Sequence, residues 1–193
     1  LTMVKQRERG KLKLYIGSAA GVGKTYRMLQ EAHDLRRRQL DVVIGFVETH
    51  GRADTVALIG DLEQVPRLRV AYRGVDVEEM DVDAIVARRP QVVIVDELPH
   101  TNVPGARHAK RWEDVRLLLD EGLNVISAMN VQHLESLNDV LQRELDIAVR
   151  ETVPDAVLAR ADDVVVVDLT PEELLERLRA GRVYPQERIE AAL

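Results

Sequence analysis

A glycine-rich segment near the start of the 193-residue chain has the composition of a phosphate-binding loop. It reads Gly17-Ser18-Ala19-Ala20-Gly21-Val22-Gly23-Lys24-Thr25. Small residues let the backbone wrap closely around an anion, so that successive N–H groups point at it. Lys24 could then reach the β- and γ-phosphate oxygens of a nucleotide, and Thr25 could ligate Mg²⁺. Ser18 stands where this motif usually has its first glycine, which an ordinary backbone conformation tolerates. The segment predicts a P-loop, against the plain alternative of a tight turn.

Two acidic residues at the end of an apolar run could complete a nucleotide site. The run Val92-Val93-Ile94-Val95 is followed directly by Asp96 and Glu97. Asp96 is the candidate partner of Mg²⁺, which keeps several of its waters and needs only one or two carboxylates. Glu97 points the other way along the pleat and is a candidate for orienting or deprotonating an attacking water. The alternative is that Asp96 and Glu97 are solvent-exposed acidic residues of a loop.

Polar residues also follow the other strand-like runs. In an open parallel sheet these positions share the carboxyl edge, where ligands bind. Glu48 could support a catalytic water, and Arg52 could contact a terminal phosphate. Asn130 or Gln132 could sense whether the γ-phosphate is present. For each of these residues the alternative is a structural role, in which its side chain only forms a hydrogen bond at the end of a strand.

Three histidines, His50, His100 and His133, fall at the same predicted edge and match the ligand count of a catalytic zinc ion. Their spacings carry no zinc-ligand motif, so this alternative is weaker than the nucleotide site. The basic segment Arg107–Arg111 has two interpretations, a solvated loop before a helix or a contact with a phosphate or a partner.

Five apolar runs of strand length recur along the chain, and a weaker sixth candidate lies at Leu68–Tyr72. The five are Leu12–Ile16, Val42–Val47, Val92–Val95, Val125–Ser127 and Val164–Val167. Most do not alternate with polar residues, which is typical of parallel strands that are covered on both faces. The sequence therefore predicts an α/β fold of three layers, similar to P-loop NTPases, with a mostly parallel central sheet of about five strands flanked by helices.

Segments with helical periodicity separate these runs. Their apolar stripes are Met28, Leu29, Ala32 and Leu35; Trp112, Val115 and Leu119; and Leu134, Leu137 and Leu141. A last helix is predicted to start at Thr170 as N-cap, with Pro171 in its first turn, Glu173 completing a capping box and Gly181 just past its end.

Composition and charge exclude several classes of protein. The chain is 46% hydrophobic and 31% charged, has no cysteine and has no long uncharged apolar run. A net charge of −6 and 3% aromatic residues argue against a nucleic-acid binder. The first 40 residues are basic, with ten Lys and Arg against three Asp and Glu. This segment could contact a phosphate ligand or an anionic membrane surface. We expect a cytoplasmic location without a secretory leader or membrane anchor in these residues.

Four collinear segments closely resemble the N-terminal cytoplasmic domain of the KdpD family. They are Gly21–Tyr26, Val47–Arg52, Val95–Asn102 and Asn130–Asn138. Proteins of this family are bacterial membrane sensor histidine kinases for potassium limitation and osmotic stress. The resemblance extends from about Gly10 to Tyr184.

The resemblance implies an ATP-binding regulatory domain of a two-component system that controls expression of a potassium-uptake ATPase. In the family this domain precedes further domains, membrane helices and a transmitter that acts on a response regulator. Those parts are expected partners, and the location would be the cytoplasmic side of the inner membrane. By the family pattern Gly23, Lys24 and Thr25 are phosphate-loop residues, and Asp96 is the acid of the second nucleotide motif. Ala20 replaces the usual proline.

The resemblance also implies cofactors and boundaries. ATP and Mg²⁺ are the expected ligands, with residues from Ser18 to Tyr26 at the nucleotide. Residues 1–10 would be a basic leader, residues 11–184 the sensor domain and residues 185–193 a helical tail. We expect slow or absent ATP hydrolysis. One alternative is a free-standing ATPase or small-substrate kinase, with Glu97 or Glu48 as base and Arg52 or Arg107 as charge stabiliser. Another alternative is a docking domain whose phosphate site has decayed.

Overall fold

The computed structural model describes residues 8–145, 149–170, 172, 173 and 176. Its strands in chain order are β1 (Leu12–Gly17), β2 (Val42–Phe46), β3 (Glu63–Gln64), β4 (Leu68–Tyr72), β5 (Val75–Glu79), β6 (Val92–Val95), β7 (Asn124–Asn130) and β8 (Asp163–Val167). Its helices are α1 (Lys24–Arg37), α2 (Ala53–Ile59), α3 (Val82–Arg88), α4 (Arg111–Asp120), α5 (Glu135–Leu145) and α6 (Asp155–Ala159), with a 3₁₀ turn at Val131–His133.

The central sheet has the strand order β3-β2-β6-β7-β1-β8, and every pairing within it is parallel. Strand β7 lies between β1 and β6, so the loop after β1 and the acids after β6 flank the carboxyl end of β7. This order confirms the predicted parallel sheet and decides which strand ends meet.

Helices cover both faces of the sheet, as the continuous apolar runs predict. Leu14 on one face belongs to the same buried apolar cluster as Ile85 of α3 and Leu118 of α4. Tyr15, the next residue of β1, packs on the other face with Met28 and Leu29 of α1. The three-layer α/β architecture is therefore confirmed.

The sheet has one strand more than the predicted five, and the sixth candidate lies elsewhere. Leu68–Tyr72 does form a strand, but it pairs antiparallel with β5 in a separate two-stranded sheet. The additional strand is β3, whose two residues are both exposed and polar. A two-residue edge strand without apolar side chains gives no periodic signal, which explains why the sequence did not predict it.

The first described residues are attached to the fold. Gly10 N donates to Leu119 O at 2.8 Å, and Arg9 Nη2 donates to Arg160 O at 3.0 Å. Near the other end, Thr170 and Glu173 form the predicted capping box, with distances of 2.8 and 3.2 Å. Residues 1–7, the rest of the predicted last helix with Gly181, and the tail at 185–193 lie outside the described residues. In the described part of the chain, no helix has the length and apolar character needed to cross a membrane.

Candidate functional site

The predicted P-loop joins β1 to α1 and depends on three of its glycines. Gly21 and Gly23 have φ angles of 81° and 100°, in the left-handed region that favours glycine. A Cβ atom on Gly17 would lie 2.6 Å from Val22 Cγ2, so a larger residue would displace the loop. No side chain caps the first turn of α1, so the backbone N–H groups of that turn are available to bind an anion.

Lys24 lies across the loop and is held by neutral oxygens. Its Nζ donates to Ala19 O at 2.9 Å and to Asn130 Oδ1 at 2.5 Å. Burial lowers the pKa of Lys24 to about 8, while the carboxylate of Asp96 opposes this shift and the guanidinium of Arg52 adds to it. A phosphate oxygen would be a stronger acceptor for this ammonium group than either neutral oxygen.

Thr25 and Asp96 are in direct contact at the start of α1 and the end of β6. Thr25 Oγ1 donates to Asp96 Oδ2 at 2.8 Å, and Glu97 N donates to Asp96 Oδ1 at 2.9 Å. The Asp96 side chain is buried, which raises its pKa. Among the described residues this carboxylate forms no ion pair, and its hydrogen-bond donors are neutral. A hydroxyl and a buried carboxylate that forms no ion pair with the described residues are a donor set that suits Mg²⁺.

These groups surround a cavity of about 190 Å³. It lies at the carboxyl edge of the parallel sheet, the position at which open α/β sheets bind ligands. Nine of the residues predicted from the sequence line it, namely Ala20, Gly21, Gly23, Lys24, Thr25, Arg52, Asp96, Glu97 and Asn130. The strand order brings them together, because β7 presents Asn130 between the P-loop and Asp96.

Six other residues predicted for the nucleotide site are outside the lining of this cavity, among them the exposed Gln132. Ser18 Oγ donates to Asp168 Oδ1 at 2.7 Å, and Ala19 contributes its carbonyl to Lys24. Val22 is buried in the core, whereas Tyr26 is 42% exposed. Glu48 accepts from His50 N at 3.2 Å. Its other carboxylate oxygen lies 3.8 Å from an arginine, Arg67, at the base of β4.

Glu97 reaches the cavity, but its carboxylate oxygens lie next to an imidazole and a guanidinium group. His50 Nε2 lies 3.2 Å from Oε1, and Arg111 Nη1 lies 3.8 Å from Oε2. The hydrogen bond with His50 lowers the pKa of Glu97, and the same bond raises the pKa of His50. A carboxylate with a lowered pKa is a weaker general base, so this geometry does not favour rapid proton abstraction.

Arg52 lines the same cavity and carries an unpartnered donor. Its Nε atom is buried and makes no hydrogen bond with any described residue. A buried N–H of this kind is costly unless a ligand or water satisfies it. The terminal phosphate predicted for Arg52 would be such a ligand.

The sequence did not predict the buried ion network beneath the cavity. Arg111 is fully buried, and its guanidinium lies 3.7 Å from the centre of the Phe46 ring. Arg111 Nη1 donates to Asp96 O at 3.3 Å, and Nη2 donates to Glu79 Oε2 at the same distance. Glu79, also buried, accepts from Val103 N at 2.8 Å. The network therefore ties the end of β6 to the end of β5.

The basic segment and the histidines have structural partners. Arg107 pairs with Asp83, and Lys110 Nζ donates to Thr101 Oγ1 at 2.6 Å. His100 Nε2 lies 3.0 Å from Glu79 Oε2, and His133 Nδ1 lies 2.7 Å from Glu151 O. The three histidines do line one cavity, but the described residues contain no group of three or more His, Asp or Glu that could hold a metal ion. The zinc alternative has no support from this geometry.

The family model for the KdpD "Osmosensitive K+ channel His kinase sensor domain" matches residues 8–193. The chain belongs to this family. The resemblance drawn from the four segments is therefore confirmed. Three KdpD relatives illustrate the similarity. The sensor protein KdpD of Escherichia coli is 54% identical over 185 residues, which cover 96% of this chain and 21% of the relative. The putative sensor protein KdpD of Synechocystis sp. is 54% identical over 185 residues, which cover 96% of this chain and 50% of the relative.

The third KdpD relative comes from Mycobacterium tuberculosis. It is a sensor protein KdpD that is 52% identical over 186 residues, covering 96% of this chain and 22% of the relative. The chain thus spans between about a fifth and a half of the length of these KdpD relatives.

Proposed function

We propose that this KdpD-family domain binds Mg²⁺ and ATP at the P-loop and acts as a nucleotide-sensing regulatory module. The observation that carries the proposal is the convergence of Lys24, Thr25, Asp96 and Asn130 on one cavity. These residues come from three separate strand ends of a parallel sheet. Their types and contacts suit a triphosphate and its cation.

Each residue has a role that follows from its contacts. Lys24 would exchange its neutral acceptors for phosphate oxygens. Asn130, at the end of β7, would lose its hydrogen bond with Lys24 in that exchange. Thr25 and Asp96 would hold Mg²⁺, which neutralises phosphate charge. Arg52 would use its unpartnered Nε for the terminal phosphate.

The environment of Glu97 favours a sensor over a fast enzyme. Its carboxylate is hydrogen-bonded to His50 and lies near Arg111, so its proton affinity is reduced. A free-standing ATPase or small-substrate kinase is the second candidate, because Glu97 does line the cavity. Glu48 and Arg107 are weaker candidates for base and charge stabiliser, since their side chains have partners outside the cavity.

The proposal extends to the longer protein through the KdpD relatives, which are sensor proteins by name. The domain would belong to a membrane sensor histidine kinase that controls potassium-uptake genes through a response regulator. It would lie at the cytoplasmic side of the inner membrane, where its basic first segment could contact anionic lipid. Nucleotide occupancy would bias the kinase only if ATP binds two shapes of the domain unequally.

Calorimetric titration of the 193-residue chain tests the proposal. We expect the parent to bind ATP in the presence of Mg²⁺, with weaker binding after chelation. Lys24→Ala should weaken binding about 10- to 100-fold, because it removes a hydrogen bond to a charged group. Lys11→Ala, at an exposed lysine before β1, is the matched control and should bind like the parent. A folded parent that binds no nucleotide would contradict the proposal.

Phosphate release separates the sensor from the enzyme. We expect turnover well below ~1 per second, the lower end of ordinary enzyme rates. Faster release by the parent that is abolished in Glu97→Gln would favour the ATPase instead.

A further inference from the structure

The side chains of His50 and Glu97 contact each other at the cavity, although the two residues lie in separate segments of the sequence. They follow adjacent strands, β2 and β6, and His50 Nε2 lies 3.2 Å from Glu97 Oε1. Both side chains are partly accessible, with exposed fractions of 49% and 35%. Both also line the cavity that contains Lys24 and Thr25. The imidazole can therefore be reached by a ligand that fills this space.

The backbone at both positions is unusual. His50 has a φ angle of 50° and Glu97 a φ angle of 53°, in the left-handed region that non-glycine residues rarely adopt. Such conformations persist where the surrounding structure imposes them, and they cluster at ligand sites. Two residues in this conformation, paired across two strand ends, suggest that their mutual placement serves the site.

We propose that His50 is the specificity-determining residue that distinguishes a nucleoside triphosphate from a diphosphate, by donating either to Glu97 or to the third phosphate. The inference rests on the proposed nucleotide site. Without a third phosphate the imidazole stays on the Glu97 carboxylate. With it, the same N–H turns to the phosphate oxygens and releases one oxygen of Glu97.

The neighbouring charges make this exchange physically reasonable. Arg111 remains beside the second oxygen of Glu97, so the carboxylate keeps a cationic neighbour after His50 leaves. Arg52 also lines the cavity, which adds a guanidinium group near the place that the terminal phosphate would take. A diphosphate lacks the group that competes for His50, and so it gains nothing from the imidazole. The contribution of His50 to the preference for triphosphate then equals the difference in free energy between its hydrogen bond to the phosphate and its hydrogen bond to Glu97.

Affinities for ATP and ADP, both with Mg²⁺, test the proposal in the parent and in two His50 variants. His50→Ala and His50→Gly both remove the imidazole, but only glycine accepts a φ of 50° without strain. We expect both variants to bind ATP about three- to tenfold more weakly, because the hydrogen bond lost to the phosphate is partly offset by the one to Glu97 that the imidazole no longer gives up. Their affinity for ADP should stay within about twofold of the parent. His33→Ala is the matched control, because His33 contacts Leu58 O outside the cavity.

A double-mutant comparison separates contact from positioning. In the Glu97→Ala background the imidazole has no carboxylate to return to, so removing His50 should reduce the preference for ATP by at least as much as in the parent. If His50 acted only by positioning Glu97, its removal would have no effect in that background. That outcome, or an unchanged ratio of ATP to ADP affinity in both His50 variants, would overturn the proposal. Failure of the folded parent to bind either nucleotide would instead overturn the nucleotide site itself.

Discussion

Lys24 and Asn130 lie 106 residues apart in the chain, yet the Lys24 ammonium group donates to the Asn130 side-chain oxygen at 2.5 Å. The contact follows from the sheet, because Gly17 at the end of β1 pairs with Asn130 at the end of β7. A neutral amide holds the lysine without neutralising its charge. The ammonium group therefore stays available to a phosphate.

Asn130→Asp should weaken ATP binding about tenfold or more, because a carboxylate would neutralise Lys24 and repel the phosphates. Competition titration with a fluorescent nucleotide would measure the effect. Gln132→Glu is the matched control, since it adds the same charge two residues away at an exposed position. Equal weakening by both variants would show that net charge, rather than the contact with Lys24, determines affinity.

Asp96→Asn should lose the Mg²⁺ dependence of nucleotide binding and gain stability. Burial raises the pKa of Asp96, so at neutral pH its ionised form costs folding free energy that the amide avoids. We expect a gain of roughly 0.5–2 kcal/mol in urea unfolding at pH 7, the usual range for a stabilising substitution. Asp168→Asn should give no gain, because the Ser18 hydroxyl lowers the pKa of that carboxyl. An Asp96→Asn variant that unfolds more easily would contradict this account.

Sequence alone predicts the P-loop and Asp96 because each is a local pattern, a strand followed by small residues or by an acid. The contact between Lys24 and Asn130 was not predicted, although both residues were, since it depends on the strand order. Nothing in the sequence links Arg111 to Glu79 or Phe46. Arg111 is 32 residues from Glu79. It belongs to the basic segment for which the sequence left two interpretations, a solvated loop or a contact with a phosphate or a partner. Its burial arises from tertiary packing, which local composition does not encode.

Glu79→Gln should destabilise the fold in a pH-dependent manner. Although burial alone would raise it, hydrogen bonds from His100 and Val103 hold the pKa of Glu79 below its ordinary value of 4.5. Its ionised form therefore stabilises the fold above that pH, and this contribution is lost as the pH falls through the lowered pKa. At pH 7 the free energy of unfolding should fall by up to about 3–5 kcal/mol, because Arg111 would remain buried with only the partly exposed Glu97, 3.8 Å away, as an ion-pair partner among the described residues. Urea unfolding at pH 7 and at pH 3 measures both effects.

The control for that measurement is Glu78→Gln, at the exposed neighbouring position of β5. It should change stability little at either pH. If Glu79→Gln lowered the free energy of unfolding by the same amount at both pH values, the lowered pKa could not belong to this carboxylate.

Gly10→Ala should lower the free energy of unfolding by about 1–3 kcal/mol, the usual cost of forced overpacking. A Cβ atom at this position would lie 1.9 Å from Leu123 O, and backbone atoms cannot move aside as a flexible side chain can. Thermal unfolding followed by circular dichroism would measure the loss. An unchanged midpoint would show that residues 8–10 behave as a leader rather than as part of the packed domain.

Amide hydrogen exchange, measured by mass spectrometry with and without Mg²⁺ and ATP, tests the central claim most directly because it reports both binding and its location. We expect slower exchange in two segments, residues 17–25 and residues 95–98, and no such protection in Lys24→Ala. Protection that is absent from both segments in the folded parent, or that survives unchanged in Lys24→Ala, would contradict a nucleotide site at this loop.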